Sequence, residues 1–83
     1  MQSFLVEVYL QGDGDEFRAS VVRLRVAAKA LTSEGSPVRY RRSLFLPEDE
    51  TGFHILEADS SLVVEEAARR AAVDPARVVE ALQ

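Results

Sequence analysis

The residues from Ser3 to Gln11 alternate with period two, and their two faces differ in kind. Phe4, Val6, Val8 and Leu10 make one face wholly apolar; Leu5, Glu7, Tyr9 and Gln11 make the other mixed. Strict alternation predicts a strand. A strand with one entirely apolar face belongs to a sheet covered on that side. What lies against the mixed face is the question the rest of the chain has to answer. Gly12-Asp13-Gly14-Asp15 ends the strand.

A helix is predicted next, over 14–33. Phe17, Val21, Leu24, Ala28 and Leu31 follow one another at helical spacing as one apolar stripe. Arg18, Arg23, Arg25 and Lys29 lie mostly off it. Asp13 and Glu16 have the spacing of a reciprocal capping box. Gly35, with Pro37 beyond it, supplies the stop. From Val38 to Leu46 the chain reads as a strand, 47–52 as a polar turn, and Phe53 to Ala58 as the return strand of a hairpin. Asp59, Ser60 and Ser61 offer caps for a second helix ending near Ala72. Val64, Ala67, Ala68 and Ala71 give that helix a small-residue face for close approach to a sheet, and Glu65–Arg69 and Glu66–Arg70 are pairs in the favourable order.

The last segment, 76–82, reads two ways. Asp74-Pro75 suits a helix start, whereas Val78 and Val79 suit a strand. Topology decides for the strand, because a three-stranded sheet would leave the first strand without one neighbour. The resulting expectation is one domain over 1–83, α+β with the order βαββαβ. It is ferredoxin-like: a four-stranded antiparallel sheet with two helices on one face and the other face bare.

Composition narrows the function classes. The chain has 83 residues, 47% of them apolar and none of them cysteine, so disulfides and thiol catalysis are excluded. No apolar run is long enough to cross a membrane, and the N-terminus lacks the layout of a signal peptide, so a cytoplasmic protein is expected. A net charge of −4 argues against nucleic acid as a partner. A domain this small gains from a second subunit covering one face.

Four stretches recur in a recognisable order: Phe4-Leu5-Val6-Glu7, Arg39-Tyr40-Arg41-Arg42-Ser43, Phe53-His54-Ile55-Leu56-Glu57-Ala58 and Arg77-Val78-Val79-Glu80. Across essentially the whole chain they resemble a family of small bacterial proteins of largely unknown function, whose best-known relative is described as a nickel-binding protein with a ferredoxin-like fold. The resemblance implies a homodimer with facing sheets, a dimeric α/β barrel, holding a divalent metal such as nickel or a small ligand between them. The family pattern often has a histidine just before the position of Ser43. This chain has Arg42 there, a fixed cation in place of an imidazole.

Each candidate residue carries a functional and an ordinary reading. Glu7 is a cavity carboxylate, as metal ligand or general base, or else a charge paired with an arginine of the second strand or with solvent. His54, the only histidine, is a metal ligand alongside Glu7, a proton shuttle, or a half-buried strand histidine hydrogen-bonded to backbone or a tyrosine. Tyr9 is a cavity phenol or an aromatic filling the interface between sheets. Arg41, with Arg39 and Arg42, clamps an anionic ligand or pairs with Glu7 and Glu80 across a dimer interface. Glu57 falls on the face opposite His54 by alternation. The expected ligand set is therefore Glu7, Tyr9 and Arg41, and the expected metal pair is His54 with Glu7.

Three functions compete. The first is a non-catalytic homodimer binding a metal or small ligand between sheets. The second is a cofactor-free enzyme of the dimeric α/β-barrel type, a monooxygenase, isomerase or cyclase, by fold analogy alone. The third is a purely structural or interaction role.

Overall fold

A computed structural model describes residues 1–82. Strand β1 (Gln2–Tyr9) leads into helix α1 (Asp15–Ser33), and β2 (Val38–Leu46) returns through a 3-10 turn (Pro47–Asp49) to β3 (Thr51–Ala58). Helix α2 (Ser61–Arg70) and strand β4 (Arg77–Ala81) complete the chain. The sheet order is β2-β3-β1-β4 with every pairing antiparallel. This is the ferredoxin-like α+β arrangement.

The two-faced reading of β1 holds. Phe4, Val6 and Val8 are buried beneath the helices together with Leu56 and Ala58 of β3. From α1 come Phe17, Leu24, Ala27, Ala28 and Leu31, and from α2 Val64, Ala67 and Ala68. Leu24 has no exposed surface. Burying such a side chain contributes roughly 1.5–3 kcal/mol. The small face of α2 lets that helix lie close to the sheet, as the alanine spacing predicts.

The ambiguous tail is a strand. Val78 pairs opposite Val6 and Val79 opposite Leu5. The Ala76 N–H donates to the Glu7 carbonyl at 2.7 Å, tying the tail to β1. Cross-strand pairing thus overrides a local helical preference.

Three details differ from the sequence reading. Asp13 does not cap α1. Gly14, at φ 100°, takes the cap position with no side-chain cap, while Asp13 Oδ1 accepts the Asp15 N–H at 3.2 Å. The turn of the hairpin is shorter than 47–52, since Thr51 and Gly52 already pair in β3. Arg69 reaches Glu66 rather than Glu65, so Glu66 serves both Arg69 and Arg70.

One irregularity has large effects. The β2–β3 register shifts between Tyr40 and Arg42, leaving Arg41 as the extra residue of a bulge. Past the bulge, Ser43 and Phe45 point to the helix side, and Arg42 and Leu44 point away from it, because they pair with His54, Gly52, Ile55 and Phe53 respectively.

Candidate functional site

The sheet face away from the helices is built of cross-strand rows fixed by the pairing register. One row runs Arg42, Ile55, Leu5, Val79; the next runs Leu44, Phe53, Glu7, Arg77. A third runs Arg39, Glu57, Ser3, Ala81. Leu5, Phe53 and Ile55 are half-buried within the protomer, while Leu44 and Val79 are exposed. The middle of this open face is therefore apolar and only partly hidden from water.

Its two carboxylates are engaged. Arg77 Nε donates to Glu7 Oε1 at 2.6 Å, and the Tyr9 hydroxyl donates to Glu7 Oε2 at 3.3 Å. The Glu7 side chain is only 13% exposed while that of Arg77 is 62% exposed, so the carboxylate end of the pair is desolvated and the guanidinium end meets water. Glu57 is held more loosely, 3.6 Å from Arg41 and 3.8 Å from Arg39. Arg42 makes no ion pair or hydrogen bond among the described residues.

On the opposite side of the sheet, beneath α1, His54 is fully buried. Its ring stacks on Phe17 with centroids 4.6 Å apart, and Phe17 stacks in turn on Phe45 at 5.2 Å. Counting protons assigns the tautomer. The Ser20 hydroxyl donates its hydrogen to the Phe17 carbonyl at 2.6 Å, so at 3.4 Å from His54 Nε2 its oxygen can only accept. Nε2 therefore carries the proton, and Nδ1 accepts from the Tyr40 hydroxyl at 2.5 Å. Burial lowers the imidazole pKa from 6.5 to about 4 and raises that of the Tyr40 phenol. The Arg25 guanidinium lies 4.9 Å over the Tyr40 ring and closes the outer end of this chain of contacts.

The expected site residues thus separate. Glu7 and Tyr9 come together on the open face. Arg41 reaches the same face but serves Glu57, and β2 lies two strands from β1, about 10 Å away. The metal pairing of His54 with Glu7 is corrected. His54 pairs opposite Val6 and shares its helix-facing side, so the next residue of β1, Glu7, points to the other side of the sheet. The ordinary reading of His54, a half-buried strand histidine bonded to backbone or a tyrosine, matches its contact with Tyr40 but not its burial, which is complete. Among the described residues no group of three or more His, Asp or Glu side chains is placed to hold a metal ion.

Two partners escaped the sequence reading. Arg77 becomes the partner of Glu7 only through the β4 register, whereas an arginine of β2 was expected. Ser20 reaches His54 from the sheet-facing side of α1, and no spacing in the sequence signals that contact. Clefts of about 200, 540 and 320 Å³ all touch α1. No described helix is long and apolar enough to cross a membrane.

No protein-family model matches the chain, and no curated protein does so. Among solved structures, the chain is similar to SCO4226 from Streptomyces coelicolor A3(2), with a TM-score of 0.76 at 15% identity over 98% of this chain and 96% of that one. At that identity the likeness concerns the fold.

Proposed function

We propose that the protein is a homodimeric binding module whose two open sheet faces meet and hold a small ligand between them. The observation that carries this reading is the apolar centre of the open face, with Ile55, Leu5 and Val79 in one row and Leu44 and Phe53 in the next. Partly exposed aliphatic and aromatic side chains in contiguous rows mark a surface that gains by being covered. Its size suits a dimer. Four strands about 4.8 Å apart, of eight, nine, eight and five residues, make a face of roughly 500 Å² in projection before side-chain relief is added. A stable interface takes about 800 Å² from each partner.

A binding role fits the carboxylates better than catalysis does. Both oxygens of Glu7 are occupied by Arg77 and Tyr9, so it is not poised as a general base. A nickel-like metal draws no support from His54, whose nitrogens face Tyr40 and Ser20 on the far side of the sheet.

Sedimentation equilibrium tests the reading. The wild-type chain is expected to be dimeric at tens of micromolar, and Ile55→Glu is expected to be monomeric with unchanged helix content by circular dichroism. A wild-type monomer at several hundred micromolar overturns the proposal.

A further inference from the structure

The charges of the open face are unbalanced in the opposite sense to those of the rest of the molecule. Arg39, Arg41, Arg42 and Arg77 stand there against Glu7 and Glu57, four positive charges and two negative, a net +2. The chain as a whole carries −4, so everything off this face sums to −6. One pairing is tight, Arg77 with Glu7. Two guanidiniums share Glu57 at 3.6 and 3.8 Å, and Arg42 has no counter-charge among the described residues.

We infer that the ligand held between the sheets is a small amphiphilic anion, a carboxylate or phosphate on an apolar body, with Arg42 taking its charge. This rests on the dimer proposed above. Two such faces brought together place four net positive charges at one interface. A guanidinium removed from water without a partner is costly, and an anion removes that cost through a short, bidentate, charge-assisted contact. The same excess opposes a divalent cation. The register supplies the remaining specificity, because Arg42 stands at the end of the row Ile55, Leu5, Val79. An apolar chain laid along that row puts its charged end at the guanidinium.

The test is sedimentation equilibrium of the full chain at fixed ionic strength, with chloride replaced in turn by hexanoate, hexyl phosphate or inorganic phosphate, and with hexanol as the uncharged control. Millimolar hexanoate or hexyl phosphate is expected to tighten dimerisation about tenfold, the value of one good charge-assisted contact, and the stronger of the two identifies the headgroup. Inorganic phosphate and hexanol are expected to change it less than twofold. Arg42→Gln is expected to dimerise at least as tightly as wild type and to lose the response. A dimer indifferent to both amphiphilic anions, or an equal response in Arg42→Gln, overturns the anion assignment and leaves the dimer standing. A chain that stays monomeric throughout overturns the dimer itself and the assignment with it.

Discussion

The buried imidazole makes the chain sensitive to mild acid, by an amount that can be worked out. In the unfolded chain His54 titrates near its ordinary 6.5; in the fold, desolvation lowers this to about 4. The folded imidazole gives up its proton more readily, so unfolding takes up a proton between those two values. Stability is full above pH 6.5, falls as pH drops through the window, and the loss is complete below about 4. At about 1.4 kcal/mol per pH unit the full loss is roughly 3 kcal/mol, and about 2.5 kcal/mol of it is already gone at pH 4.5. The hydrogen bonds work in the same direction. A proton on Nδ1 would meet the hydrogen of the Tyr40 hydroxyl and force it to turn.

Thermal melts at pH 7.5 and pH 4.5, compared between wild type and His54→Gln, isolate this contribution. For a domain of this size the wild type is expected to lose about 10–20 °C more than the variant across that interval. Glu66, held down to about 2 by Arg69 and Arg70, gives up its contribution as pH falls below its ordinary 4.5, mostly outside the interval. Because His54 is the only histidine, its imidazole C–H resonances provide an independent measurement in the intact wild type. Titration near 6.5, or equal losses in the two proteins, would refute the reasoning.

Three further substitutions probe the fold, each read by urea denaturation. Ala72 closes α2 at φ 54°, where the Val73 N–H reaches the Ala68 carbonyl at 2.8 Å, so Ala72→Gly is expected to stabilise by about 0.5–1 kcal/mol. A Cβ on Gly52 would collide with the Phe17 ring that covers His54, so Gly52→Ala is expected to cost roughly 2–3 kcal/mol. Deleting Arg41 removes the bulge while leaving every other β2–β3 pair in register, so it is expected to cost less than about 1 kcal/mol, whereas deleting Leu44 turns Phe45 away from Phe17 and is expected to cost several-fold more.

Much of the fold was legible because its signals are local. The alternation of β1, the stripe of α1 and the stop at Gly35 each depend on neighbours in sequence, and each appears where its residues put it. The strand at Arg77–Ala81 was legible only by a global argument, that β1 needs a partner on both edges, and local preference pointed the other way. Asp13 failed as a cap because Gly14 takes the left-handed conformation that sets the chain's entry into α1, and no side-chain pattern announces that geometry. The separation of His54 from Glu7 was half legible. Alternation alone puts them on opposite faces once the β1–β3 register is known, but the register is a long-range property. Ser20 on the stripe side of α1 was invisible for the same reason.

The bulge at Arg41 connects these threads. Without an extra residue, alternation from Val38 onward would carry Arg42 under α1, into the space beside His54, where none of the described buried residues is a carboxylate, and would turn Phe45 outward. With it, Phe45 completes the ring stack over Phe17, and two adjacent arginines both reach the open face, Arg41 at Glu57 and Arg42 with no ion pair among the described residues. A sheet that needed only a packed core would be served by the regular strand with Arg41 deleted. The irregular strand differs from it chiefly in holding one more guanidinium on the surface that a second copy would cover. Extra charge at a surface destined for burial weakens an interface unless something of opposite charge enters with it. On the proposed dimer, the bulge serves the covered face more than it serves the fold.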